Sequence, residues 1–101
     1  MDINKLMQQA QAMQKQLEEA NRQISEKQFE GSASNGLVKV VINGDHLIQY
    51  VDLDASIIDP SDKEMIEDLI MIAVNDAIEK AEEYKKERLG GMASALGIPG
   101  K

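Results

Sequence analysis

The fold is decided by residues 35–54, which read Asn35-Gly36-Leu37-Val38-Lys39-Val40-Val41-Ile42-Asn43-Gly44-Asp45-His46-Leu47-Ile48-Gln49-Tyr50-Val51-Asp52-Leu53-Asp54. Each Asn-Gly pair supplies the two consecutive positive-φ positions that a tight hairpin turn requires, and β-branched residues fill the space between them. Two hairpins in series predict a three-stranded antiparallel meander. In the middle strand Val38, Val40 and Ile42 share one face. In the third, Leu47, Val51 and Leu53 share one face, interrupted by Gln49, with Ile48 and Tyr50 opposite. The first strand spans Lys27 to about Ser34, and the strand block as a whole covers about 28–54. Gly31, Ser32, Ala33 and Ser34 pack poorly, which suits a fraying or edge position.

Upstream, residues 2–27 contain no Gly or Pro and space apolar side chains alternately three and four apart: Ile3, Leu6, Ala10, Met13, Leu17, Ala20 and Ile24. That 3.5-residue period marks a helix of about 37 Å with a continuous seam, Ile3, Ala10, Leu17 and Ile24 at a and Leu6, Met13 and Ala20 at d. The g positions hold Gln9, Gln16 and Gln23, so no ion pairs select a partner or its direction. Packing against a partner helix and lying on the chain's own sheet both remain open. Downstream of Asp59-Pro60, Ser61 with Glu64 three residues later forms a capping-box pattern that opens a helix over about 61–89. Acids gather at its start and Lys85, Lys86 and Arg88 at its end, complementing the helix dipole. Its centre, Leu69-Ile70-Met71-Ile72-Ala73-Val74, is apolar all round, more than one small sheet can cover. Gly90-Gly91 is expected to stop the helix and to begin a flexible tail over 91–101.

The 101 residues fit a single domain, 1–90, followed by that tail. Aromatic residues make up 3% of the chain, so aliphatic side chains must form the core, and a partner chain would help. Net charge is −7, from 11 basic and 18 acidic residues, which opposes coating of polyanions by overall charge. Residues 28–60 concentrate the acid: Glu30, Asp45, Asp52, Asp54 and Asp59 against Lys39. With no Cys there are no disulfides, thiolate metal sites or cysteine nucleophiles, and a reducing, cytoplasmic setting is expected. No stretch is long and apolar enough for a bilayer span, so no membrane partner is expected. His46 is the single histidine and reads as a polar residue at a strand end. No metal site, cofactor cradle or catalytic constellation accompanies it, and an enzyme is not expected.

The order of features resembles the YbaB/EbfC nucleoid-associated proteins: a Met- and Gln-rich heptad helix, then Gly36-Leu37-Val38-Lys39-Val40-Val41-Ile42-Asn43-Gly44, then Asp59-Pro60. The likeness continues through Asp62-Lys63-Glu64-Met65-Ile66-Glu67-Asp68-Leu69-Ile70 and Ala73-Val74-Asn75-Asp76-Ala77 to a tail containing Pro99. It implies an α+β subunit of order α-β-β-β-α, a tweezer-like homodimer and binding to double-stranded DNA in the cytoplasm and nucleoid. It also implies effects on DNA conformation and gene expression, without catalysis, cofactor or small-molecule substrate. Phosphate contacts need protruding cations, because neutralising phosphates releases counterions. In the heptad frame Lys5 lies at c, and Lys15 and Arg22 at f, away from the seam. With Lys27 and with Lys80, Lys85, Lys86 and Arg88 of the second helix they form the candidate footprint. Leu6, Ala10, Met13, Leu17, Leu69 and Ile72 form the candidate dimer contact. The alternative is a protein-interaction module with negligible DNA affinity at cellular salt, which the acidity favours.

Overall fold

The computed structural model describes residues 2–95. The chain runs α1 (Ile3–Glu26), β1 (Gln28–Ala33), β2 (Val38–Asn43), β3 (Ile48–Leu53), two short 3-10 turns (Ala55–Ile57 and Pro60–Asp62) and α2 (Lys63–Ala95). The architecture is therefore α+β in the order α-β-β-β-α, with an antiparallel sheet of order β1-β2-β3. The molecule is long, 72 × 23 × 16 Å, because both helices outrun the small sheet.

Asp2 caps α1, its carboxylate accepting from the Asn4 N–H at 3.1 Å. β1 pairs with β2 from Gln28↔Asn43 to Ala33↔Val38. The turn between them behaves as its sequence predicts. Asn35 and Gly36 take φ of 58° and 87°, and Leu37 N–H donates to Ser34 O at 3.2 Å.

The second Asn-Gly does not. Positive φ falls on His46, at 64°, while His46 N–H donates to Asn43 O at 3.0 Å. Asn43 instead organises the loop through its side chain, whose Oδ1 accepts from the N–H groups of Asp45 and Leu47 at 2.9 and 3.1 Å. Gly44 is needed for clearance: a Cβ there would lie 1.8 Å from the carbonyl oxygen of Ile24. Its N–H donates to Ser25 O at 3.2 Å, and Ser25 Oγ donates to Asp45 at 2.9 Å, so the hairpin tip is fastened to the end of α1.

The same hairpin carries a bulge. Val41 pairs with Tyr50 but Ile42 pairs with Ile48, leaving Gln49 without a partner residue. The extra residue reverses the side-chain alternation, so Ile48 joins the face of Val51 and Leu53 rather than opposing it, as strict alternation had predicted.

α2 lies across β1 and β2 and leaves β3 uncovered. Phe29, Ala33, Val38, Val40 and Ile42 meet Ala73, Ala77 and Ala81, which repeat every four residues along one face of the helix. Gly31 allows this closeness, since a Cβ there would sit 2.0 Å from Ala73 O and 2.4 Å from Ala77 N. Two expectations about α2 are corrected. The helical run starts at Pro60, capped by Asp59, whose carboxylate accepts from both the N–H and the hydroxyl of Ser61; Ser61 is a donor inside the first turn. The helix also passes through Gly90-Gly91 to Ala95. Each glycine costs about 1 kcal/mol against alanine, which a helix already 27 residues long and continued by Met92-Ala93 absorbs. Of the expected tail, 91–95 is helical and 96–101 lies outside the described residues.

Candidate nucleic-acid interface

The heptad seam of α1 divides in two. Ala20 and Ile24, in its last heptad, are buried within the subunit. Ile3, Leu6, Met7, Met13 and Leu17 are exposed, from 39% for Met13 to 70% for Ile3, so most of the seam projects as an arm that the other described residues leave largely open. On α2, Met71 and Ile72 are more than half exposed, whereas Leu69 packs partly against the core.

The eight candidate cations fall into distinct settings. Lys80 is committed to the fold, its Nζ donating to Glu30 O at 2.9 Å and pairing with Asp76 at 3.3 Å. Asp76 in turn accepts from the Ser32 N–H at 3.0 Å. That donor, with Lys80 adding, holds the Asp76 carboxyl below the ordinary aspartate range. Together the two side chains cap the free edge of β1, covering one donor and one acceptor that would otherwise invite another strand. Arg22 sits between Glu19 and Glu26 on its own helix, and the bond to Glu19 raises its pKa and lowers that of Glu19. Its charge is locally cancelled.

Lys27 lies 4.9 Å from the centroid of the Tyr84 ring and 6.0 Å from that of Phe29, over an aromatic pair whose centroids are 5.6 Å apart. Arg88 reaches from α2 to α1, donating to Gln23 Oε1 at 2.6 Å. Lys5, Lys15, Lys85 and Lys86 are exposed, and among the described residues no carboxylate lies within 4.0 Å of their ammonium groups.

Two of these cations converge. Lys15 of α1 and Arg88 of α2 line an open groove of about 420 Å³ where the helices meet, together with Gln16, Glu19, Ala20 and Met92. Sequence reasoning read Gln16 and Gln23 only as neutral seam-flanking residues and missed their places here: Gln16 lines this groove and Gln23 accepts from Arg88. Their g positions in successive heptads were the available signal. Single His46 is also more than a strand-end residue, because its Nε2 meets Glu82 Oε1 at 2.8 Å and links the second hairpin to α2. Among the described residues no group of three His, Cys, Asp or Glu side chains could hold a metal ion. Nor is any helix there long and apolar enough to cross a membrane.

An exposed helical arm, a three-stranded sheet and a cation-lined helix junction define a small α+β binding protein. The chain belongs to the YbaB/EbfC DNA-binding family, whose sequence profile it matches over residues 1–96. It is 41% identical over 103 aligned positions to a nucleoid-associated protein of a Psychrobacter species, covering 98% of this chain and 93% of that one. A nucleoid-associated protein of Rickettsia felis is 37% identical over 98 residues, covering 97% and 92%. The crystal structure of an uncharacterized Helicobacter pylori protein superposes with a TM-score of 0.74 at 25% identity, covering 91% of this chain and 97% of that one.

Proposed function

We propose that this protein is nucleoid-associated and binds double-stranded DNA as a homodimer, with little sequence preference, through phosphates. The observation that carries the reading is the convergence of Lys15 and Arg88 on one groove, with Lys85 and Lys86 close by in sequence on α2 and, among the described residues, without carboxylate partners. Family membership supports DNA as the ligand, and the names of the relatives support the nucleoid, hence the cytoplasm, as its place. Lys5 extends the footprint along the arm. Lys27 contributes from its aromatic seat, Arg22 less because Glu19 and Glu26 already satisfy it, and Lys80 least because it caps β1.

Two chains carry twice the net charge of −7, so the repulsive average must be overcome locally. Affinity is therefore weak and falls with added salt along a shallow slope set by few phosphates. Uncovered apolar surface supports the dimer: Leu6, Met13 and Leu17 on the arm, with Ala10 between them, and Ile72 on α2. Leu69 has a smaller share because its own core takes part of it.

Fluorescence anisotropy on a duplex of arbitrary sequence, titrated with salt, tests the footprint. Replacing Lys15 and Arg88 together with Gln should weaken binding equally on unrelated sequences and flatten the log–log salt slope by about one for each phosphate no longer neutralised. The double variant should retain wild-type circular dichroism. Unchanged affinity in a folded double variant would remove the groove from the interface.

A further inference from the structure

One reactive dipeptide occurs twice in the chain, in unlike settings. Asn35 and Asn43 are each followed by glycine, the neighbour whose backbone nitrogen is least hindered from attacking an asparagine carboxamide. Asn4, Asn21 and Asn75 precede larger residues and lie inside helices.

Asn35 sits exposed at the tip of the first hairpin. Among the described residues neither its carboxamide nor the Gly36 N–H has a hydrogen-bond partner, and one bond, from Leu37 N–H to Ser34 O at 3.2 Å, closes the turn. Ser34 and Asn35 both hold positive φ, 54° and 58°, against the steric penalty of a Cβ. Such a tip opens locally at little cost. Asn43 differs at each point. Its Oδ1 accepts from the N–H groups of Asp45 and Leu47 at 2.9 and 3.1 Å, and the nitrogen that would attack it, that of Gly44, donates to Ser25 O at 3.2 Å. Both reacting groups are therefore held, and turning the carboxamide onto the Gly44 nitrogen means unfastening the hairpin from α1.

We propose that Asn35 is a site of spontaneous covalent modification, deamidating in the folded protein while the second hairpin protects Asn43. The Gly36 nitrogen bonds to Cγ of Asn35 as the Cγ–Nδ2 bond breaks, and the N–H proton departs with the NH2 group as ammonia. Water then opens the cyclic imide. Cleavage between Cγ and the nitrogen gives aspartate, and cleavage between the Asn35 backbone carbonyl carbon and the nitrogen gives isoaspartate; nothing is oxidised or reduced. Either product adds one negative charge to a chain of net −7. The iso form also lengthens the backbone beside Leu37, whose carbonyl accepts from Asp54 N–H at 2.8 Å, so it loosens the tie between this hairpin and the end of β3.

Trypsin cleavage after Lys27, Lys39 and Lys63 places the two asparagines on separate peptides. After incubation of the native protein in warm, mildly alkaline buffer, the peptide 28–39 should gain about one mass unit and divide into aspartate and isoaspartate forms. It should do so about tenfold or more faster than 40–63, because the latter must first break the bonds that hold its loop. In concentrated urea the two should react at similar rates. Asn35→Gly keeps the left-handed backbone accessible and removes the carboxamide, so the acidic species should no longer accumulate on anion exchange. Reaction at Asn35 in urea but not in the native protein would overturn the site. Equal rates at Asn35 and Asn43 in the native protein would overturn the protection assigned to the second hairpin.

Discussion

The two long helices solve opposite problems with the same apolar alphabet. α2 buries Ala73, Ala77 and Ala81 and leaves Met71 and Ile72 in solvent; α1 buries only Ala20 and Ile24 and leaves Leu6, Met13 and Leu17 outside. Along α2, burial follows clearance rather than hydrophobicity. Where the helix meets the sheet, Gly31 and the alanine stripe let the backbones approach closely, so the large buried side chains, Phe29 and Ile42, come from the strands while Met71 and Ile72 stay on the outer surface of α2. The body is thus closely fitted at Gly31. The arm is fastened at one end, by Gly44 and Ser25, and otherwise waits for a partner.

If that contrast is right, the largest effect belongs to Gly31→Val. The added side chain would collide with α2 backbone that cannot step aside, costing about 3 kcal/mol or more, with a melting temperature lower by more than ~10 °C in thermal denaturation. Gly44→Val should come next. It collides with the Ile24 carbonyl, but only the fastening of the arm is lost, so about 1–3 kcal/mol goes while amide exchange protects β1, β2 and the middle of α2 as before. Equal loss of protection in body and arm would show that the two are one cooperative unit.

Asp76→Ala should cost about 1 kcal/mol at neutral pH, by uncapping the Ser32 N–H. Because the folded-state pKa of Asp76 is depressed, its contribution is complete above the ordinary aspartate range and is lost as the pH falls through the folded value. The difference between wild type and variant in denaturant titrations should therefore shrink on acidification and vanish once the carboxyl is protonated in both states. The smallest effect on the subunit itself is expected from Leu17→Asp, within about 0.5 kcal/mol, since this side chain is 46% exposed. If the arm seam lies in the dimer contact, sedimentation of the same variant should nevertheless show dissociation.

Much of this architecture is legible in the sequence. The meander follows from two Asn-Gly pairs flanking β-branched residues, α1 from its 3.5-residue period, and α2 from the cap signal after Asp59-Pro60 and from acids at its start and bases at its end. What misleads is residue type standing for role. Gly44 reads as a turn glycine but serves close approach, and Ser61 reads as a cap but donates to Asp59. Gly90-Gly91 reads as a stop, yet the helix continues. In the candidate site, exposed cations can be picked from the heptad frame. Which of them are already occupied depends on neighbours far away in the chain, such as Glu30 for Lys80 and Gln23 for Arg88.

The sequence by itself determined the order of elements, the sheet's connectivity and the existence of a continuous apolar seam on α1, because those rest on local backbone preference and on period, both written in neighbouring residues. Only the tertiary structure decided which cations are free, which sheet edge is sealed and how far along α1 the subunit's own cover extends. Those outcomes turn on distances between groups twenty to sixty-five residues apart, where a single missing Cβ or one carboxylate in reach changes the result.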